Sequence, residues 1–184
     1  MANDRKMVVE NAHLSFARET LRTFMDAVAL MRAITAVEDR PYFLTVAQRN
    51  AYDIAINSWC ILFGSDHADH QQIHWKNMFD NDPFRADLLR SLGISQEEWA
   101  AYRNLLVDYR NELTAHRDLN PVTQFHPSLD TALLAANFFD GQLRVKIEKE
   151  TGRKTFGPPL LEEFEVRLQL FTDQVAKASV AMNQ

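Results

Sequence analysis

Arginines recur every seven residues between Arg103 and Arg117, and a histidine, His116, stands beside the last of them. Residues at this spacing lie on one stripe of an α-helix. A guanidinium binds phosphate through two donors and keeps its charge, whereas an imidazole takes up and returns a proton near neutral pH. The stretch therefore has the chemistry for metal-free cleavage of RNA: His116 would deprotonate a ribose 2′-OH, and Arg110 would stabilise the phosphate.

The spacing of Arg110 and His116 limits how the two can act. On one straight α-helix they lie about 9 Å apart along the axis and about 120° apart around it, so they do not touch. To act together they need a helix that ends near Thr114, or a second protomer that faces the first. The alternative is structural. His116 falls on the apolar seam of the helix and would then be a buried core residue, and the arginines would form a solvated flank.

The same segment resembles a known sequence signature. Arg110 is followed by a polar residue, Asn111, and five residues separate it from His116. This is similar to the Arg-polar-x-His signature of HEPN domains, the "higher eukaryotes and prokaryotes nucleotide-binding" helical family. The stretch FGSDHADHQQIHWKNMF, followed at a distance by YRNELTAHRDL, further resembles abortive-infection branches of that family. The resemblance covers residues 45–150, approximately.

The resemblance implies a HEPN-like helical homodimer in which the Arg and His of two protomers converge in a cleft. It implies a metal-independent endoribonuclease of a toxin or antiphage system, with no cofactor, and with RNA and a cognate antitoxin as partners. Arg110 would bind phosphate, His116 would be the acid and base, and Asn111 would orient them, while Arg103 and Arg117 would contact the RNA backbone. Other members of the family have lost catalysis, so a dimerisation or interaction module is the alternative.

Three histidines, His67, His70 and His74, form a second candidate site. His67 and His74 are two helical turns apart, too far to share one ion on a straight helix, whereas His70 and His74 have the i, i+4 spacing of zinc ligands. A third ligand would have to come from elsewhere, and Gln71 stands where zinc proteases carry their general-base glutamate. We therefore expect no resident metal. A metal-binding helical bundle that uses His70 and His74 is the alternative from another class.

Apolar residues recur with helical spacing along most of the chain. One seam runs from Leu14 to Met31 and another from Trp99 to His116, and no stretch alternates with the period of a β-strand. Capping boxes at Thr45–Gln48 and Ser95–Glu98 predict two helix starts, and Pro158-Pro159 predicts a third. The sequence predicts an all-α bundle of five to six helices in a single domain over residues 1–184, with the HEPN-like core flanked by N- and C-terminal helices.

The composition indicates in which compartment the protein works and which classes of binding partner it is expected to have. A formal net charge of −5 argues against avid, non-specific binding of nucleic acid. The single cysteine, Cys60, cannot form an intrachain disulfide and stands between Trp59 and Ile61, which predicts a buried, inert thiol in a reducing compartment. The first residues show no signal-peptide pattern, and no stretch is apolar enough to cross a membrane. These features predict a cytoplasmic protein with no membrane partner.

Overall fold

The computed structural model describes residues 2–64, 73–115, 126–154 and 157–182, with the backbone alone for residues 2–11 and 115. Within these ranges the chain is helical and has no β-strand, so the predicted all-α fold is confirmed. The described α-helices are α1 (Ala2–Thr35), α2 (Tyr42–Phe63), α3 (Trp75–Met78), α4 (Asn81–Leu92), α5 (Gln96–Tyr109), α6 (Asp130–Thr151) and α7 (Leu160–Met182). Six of them correspond to the predicted bundle, and α3 is an additional single turn.

Two of the predicted helix starts are confirmed. At the start of α5, Ser95 Oγ accepts a hydrogen bond from the Glu98 backbone N–H at 3.1 Å, and the Ser95 N–H donates to Glu98 Oε2 at 2.7 Å. These reciprocal bonds form a capping box that satisfies two donors at the helix end. α7 begins at Leu160, directly after the two prolines. Both starts depend on residues close in sequence, which is why the sequence predicts them.

The predicted start of α2 at Thr45 was wrong. The helix begins at Tyr42, and Pro41 precedes it with φ −54°. The Pro41 carbonyl accepts from the backbone N–H groups of Leu44 at 2.9 Å and Thr45 at 3.3 Å. Proline fixes its own φ near the value that leads into a helix, so the first turn forms without a side-chain cap. Thr45 therefore lies inside the helix rather than in front of it.

The core is formed by long helices that pack around aromatic residues. α1 packs along α2 and against α7, and one buried apolar cluster includes residues of all seven described helices. At its centre the ring of Trp59 stacks on Phe63 with centroids 5.1 Å apart, and Phe63 meets Phe139 edge-on at 5.6 Å. Burial of these rings, together with the aliphatic residues around them, supplies apolar contributions to folding. In the described ranges, no helix is both long enough and apolar enough to span a membrane.

Arg144 of α6 ties the start of α7 to the bundle. Its Nε donates to the buried carboxylate of Asp140, one turn earlier on the same helix. Its other nitrogens donate to the carbonyl oxygens of Gly157, at 3.0 Å, and Pro158. Gly157 has φ +92°, a backbone conformation that glycine adopts readily. The Asp140 carboxylate thus fixes a guanidinium whose remaining donors hold the chain as it enters α7.

Candidate phosphate-binding site

Arg110 stands where α5 gives way to a π-helix, Arg110–Ala115. Up to this point α5 is regular and buries Trp99, Leu106 and Tyr109. In a π-helix the backbone hydrogen bonds join residues i and i+5. Single π-helical turns are rare in proteins, and those that occur are often found at functional sites. The continuous seam from Trp99 to His116 predicted an uninterrupted α-helix, so the change of helix type at Arg110 was missed.

The guanidinium of Arg110 is fixed by the residue that follows it. Nε and Nη2 of Arg110 both donate to Oδ1 of Asn111, at 3.1 Å and 2.8 Å. Both side chains are half-buried. Two bonds to one oxygen define the plane of the guanidinium, and a defined plane is what two-pronged contact with a phosphate requires.

Arg110 also acts electrostatically on α2. Burial raises the pKa of Cys60 to about 11, and the positive charge of Arg110 opposes that rise only in part. The thiol lies 3.9 Å from the Leu106 carbonyl oxygen. Cys60 is buried, as predicted. Because the thiolate is the reactive form, a raised pKa makes this thiol a poor nucleophile at neutral pH.

Adjacent residues of α2 hold the chain on both sides of residues 116–125. Thr114 Oγ1 donates to Asp53 Oδ1 at 3.3 Å, and the Tyr52 hydroxyl donates to the Pro127 carbonyl oxygen at 2.6 Å. Two of the predicted site residues, His116 and Arg117, fall between these anchors in sequence and lie outside the described residues. The described structure therefore shows Arg110, the arginine of the predicted pair, and the contacts that hold the chain on either side of residues 116–125, the range that contains His116.

Arg103 lies two turns before Arg110 on the same helix, but its side chain contacts different residues. Its Nη2 donates to Asn104 Oδ1 at 2.9 Å, a contact of the same kind as that between Arg110 and Asn111. It lines a small cavity between α2, α3, α4 and α5, and Arg110 is not among the described residues that line that cavity. The two arginines thus share a helical stripe, as their spacing predicts, without sharing one cavity.

Of the three predicted histidine ligands, the structure describes His74 alone. Its side chain is buried, and Nδ1 accepts a hydrogen bond from the Lys76 backbone N–H at 3.3 Å as the N-cap of α3. His67 and His70 lie outside the described residues. Elsewhere in the described chain, no three His, Cys, Asp or Glu side chains are placed to bind a metal ion. His74 therefore has a structural role in starting α3.

A cavity of about 430 Å³ beside Tyr52 and His126 was not anticipated from the sequence. His126, which is exposed, places its ring centroid 4.8 Å from that of Tyr52 and 5.4 Å from that of Tyr109. Burial raises the pKa of Tyr109 to about 12, with a smaller rise from Asp53 and an opposing effect of Arg49. The cavity is lined by Met31, Arg32, Gln48, Arg49, Tyr52, His126, Pro127, Ser128, Leu129 and Asp130.

The only sequence signal for this cavity was weak. His126 and Pro127 stand just before a predicted helix, and His126 has no distinctive spacing from the other histidines. What makes His126 notable is its contact with two tyrosines from α2 and α5, and that contact is a product of tertiary packing.

Comparison of the chain with family models, with curated proteins and with solved structures finds no match in any of the three.

Proposed function

We propose that the protein is a HEPN-like, metal-independent endoribonuclease of a toxin or antiphage system, in which Arg110 binds the scissile phosphate and His116 transfers protons. The observation that carries the proposal is the pairing of Arg110 with Asn111 at the head of the π-helix. It fixes a half-buried guanidinium at the position where the sequence signature requires a phosphate binder.

The donors of Arg110 suit this role. A guanidinium carries five N–H donors, and the two bonds to Asn111 engage one donor on Nε and one on Nη2. Among the described residues this leaves three N–H groups for a ligand. An arginine held in one plane binds a phosphate with less loss of side-chain freedom than a mobile one. The charge that builds up on the phosphate during the reaction would be stabilised by those donors.

The chemistry needs one group that exchanges a proton near neutral pH. His116 would take the proton of the ribose 2′-OH, and the 2′-oxygen would attack the adjacent phosphorus. The bond from phosphorus to the 5′-oxygen then breaks, and that oxygen receives a proton from an imidazolium. The products are a 2′,3′-cyclic phosphate and a 5′-hydroxyl, and no metal or redox partner takes part.

Two contacts of the π-helix favour a second candidate, a non-catalytic HEPN-like interaction module. The bond of Arg110 to Asn111 lies within one chain, and Thr114 in the same π-helix is fixed to Asp53. The same contacts would stabilise a rigid dimerisation surface. The metal-binding alternative is less favoured, because His74 is buried and its Nδ1 caps α3.

The test is cleavage of labelled single-stranded RNA in the presence of a strong chelator, with any co-purifying partner removed. We expect Arg110→Ala and His116→Ala each to lower the rate by about 10²- to 10⁴-fold with little change in melting temperature. Arg110→Lys keeps the charge but loses the planar fork, so it should recover only part of the rate. His126→Ala is the histidine control and should retain cleavage.

Two results would overturn the proposal. A wild-type protein that cleaves no RNA, together with a His116→Ala variant that melts several degrees lower, would leave the interaction module. Loss of cleavage in His126→Ala but not in His116→Ala would show that the proton-transfer residue had been misassigned.

A further inference from the structure

The cavity of about 430 Å³ lies between α1, α2 and the chain that leads into α6. Its volume falls within the roughly 300–1,000 Å³ of pockets that hold small molecules. Such pockets combine an apolar lining with a few polar groups that orient the ligand. The apolar part of the lining here includes Met31, Pro127 and Leu129, and the polar part includes two arginines and one aspartate. The cavity therefore has the size and the lining of a small-molecule site.

Hydrogen bonds from two tyrosines fix the chain on one side of the cavity. The Tyr52 hydroxyl donates to the Pro127 carbonyl oxygen at 2.6 Å, and the Tyr102 hydroxyl donates to the Ser128 carbonyl oxygen at 2.7 Å. The Tyr102 hydroxyl also accepts from the Ala132 backbone N–H at 3.0 Å. These bonds hold the start of α6 and the residues before it on α2 and α5. A site built on fixed backbone loses less conformational freedom when a ligand binds.

The carboxylate that lines the cavity is engaged through both of its oxygens. Asp130 Oδ1 accepts from Arg32 Nη2, and Asp130 Oδ2 accepts from Ser128 Oγ at 2.8 Å. The guanidinium carbon of Arg32 also lies 5.3 Å from the ring centroid of Phe164. Arg32 and Asp130 therefore form an ion pair whose two charges offset each other in the lining of the cavity.

Arg49 supplies a positive charge that this ion pair does not balance. It lines the cavity from α2, its side chain is exposed, and it makes no hydrogen bond or ion pair with the described residues. Asp53, one turn later on α2, instead accepts from Thr114 Oγ1 at 3.3 Å. A guanidinium presents two planar donors that suit a carboxylate. Because the described lining has one cation in excess, a ligand with a single negative charge complements it.

His126 provides an aromatic surface at the same cavity. Its ring centroid lies 4.8 Å from that of Tyr52, with the ring planes 71° apart, and 5.4 Å from that of Tyr109. These contacts hold the ring, yet His126 remains exposed, so part of the imidazole is accessible to a ligand. Aromatic rings pair favourably with one another. A ligand that carries both an aromatic ring and an acidic group would contact His126 and Arg49 together.

We propose that this cavity binds a small aromatic carboxylate. Arg49 binds the carboxylate group of the ligand, and the ring of the ligand packs against His126 and the apolar lining. The proposal does not depend on the ribonuclease, because Arg110 and Asn111 are not among the described residues that line the cavity.

Isothermal titration calorimetry in low salt tests the proposal. The two probes are cinnamate and its neutral amide, cinnamamide, which has the same ring without the charge. Arg49→Gln removes the cation and Arg49→Lys keeps it, while His126→Ala removes the ring and His126→Phe supplies another. Arg153→Gln is the matched control, since it removes the same charge at an exposed side chain that is not among the described lining residues. Melting temperatures establish that each variant is folded.

We expect wild type to bind cinnamate about tenfold more tightly than cinnamamide, because only cinnamate pairs with the guanidinium. Arg49→Gln should bind cinnamate about tenfold more weakly and leave the affinity for cinnamamide unchanged. Arg49→Lys should recover part of that loss, and Arg153→Gln should bind both probes as wild type does. His126→Ala should weaken the binding of both probes by about three- to tenfold, and His126→Phe should restore it.

Three results would overturn the proposal. The first is the absence of saturable cinnamate binding by wild type, and the second is equal affinity for cinnamate and cinnamamide. The third is an equal loss of cinnamate affinity in Arg49→Gln and Arg153→Gln, which would indicate a general effect of net charge. Arg110→Ala should leave the affinity for cinnamate unchanged, so failure of the ribonuclease proposal would be seen separately.

Discussion

The Oδ1 atom of Asn111 accepts two hydrogen bonds from the guanidinium of Arg110, from Nε at 3.1 Å and from Nη2 at 2.8 Å. One heptad earlier, Arg103 Nη2 donates to Asn104 Oδ1 at 2.9 Å. Each arginine is thus held by the asparagine that follows it. This repeat provides a matched pair of positions at which the role of the asparagine can be measured.

Asn111→Ala should lower RNA cleavage about tenfold, because Arg110 would lose the contact that fixes its plane. The loss should appear mainly in kcat. Asn111→Asp would keep an oxygen acceptor but place a negative charge beside the phosphate, so it should raise KM while recovering part of kcat. Asn104→Ala serves as the control for removing the same kind of contact. Equal losses in Asn104→Ala and Asn111→Ala would argue that Asn111 has no specific role.

A second prediction concerns a dimeric site. If the Arg of one protomer acts with the His of its partner, a mixture of Arg110→Ala and His116→Ala proteins contains dimers with one intact site. Mixing the two inactive variants should therefore restore part of the cleavage activity. Light scattering at micromolar concentration should give about twice 21.2 kDa. A particle of the monomer mass alone, or no restored activity on mixing, would argue against a shared site.

Asp140→Ala should destabilise the fold by about 3 kcal/mol, because it leaves the mostly buried Arg144 guanidinium without its carboxylate. Glu150→Ala is the control, since Lys146 and Glu150 form an ion pair at the same spacing on the same helix. That pair is partly exposed and should contribute only about 0.3–0.5 kcal/mol. Urea unfolding followed by circular dichroism measures both. Similar losses in the two variants would contradict the structural role of Arg144.

The Cys60 thiol should react slowly in the folded protein. With a pKa of about 11, its thiolate is roughly a hundredfold or more scarcer at neutral pH than that of a free thiol with the usual value near 8.5. Reaction with an aromatic disulfide reagent should be at least that much slower than in denaturant. Because the folded protein holds this proton more tightly than the unfolded chain, the contribution of Cys60 to stability is complete below the unfolded pKa of about 8.5. This contribution to the free energy of unfolding is lost as the pH rises toward 11. Cys60→Ala should therefore make the protein lose less stability over that pH range.

A chelator should leave the melting temperature unchanged. His74 already uses Nδ1 to cap α3, and the described chain offers no cluster of three potential ligands. Thermal unfolding with and without the chelator measures this directly. A fall of several degrees, restored by added zinc, would mean that His67 and His70 contribute to a structural metal site with His74.

The parts of the fold that the sequence predicts depend on local signals. Ser95 and Glu98 form the predicted capping box because the two side chains are close in sequence and satisfy each other's backbone donors. Leu14, Leu21 and Val28 are buried, as their helical spacing predicts. The start of α2 was missed because the Pro41 backbone, rather than a side-chain cap, begins that helix.

The candidate site was only partly predictable, because some of its contacts join residues close in sequence and others join residues far apart in sequence. Arg110 and Asn111 are neighbours in the chain, so their contact lies within reach of sequence reasoning. The contact of His126 with Tyr52 and Tyr109 is not, because it depends on how α2 and α5 pack. The π-helix also escaped prediction, since the apolar seam from Trp99 to His116 has regular α-helical spacing.

The two α2 residues that hold the chain on either side of residues 116–125, Tyr52 and Asp53, are neighbours in sequence. One turn of α2 therefore contacts both Thr114 and Pro127. The end of the π-helix and the chain that leads into α6 share this support, so a substitution that shifts this turn of α2 changes the position of both.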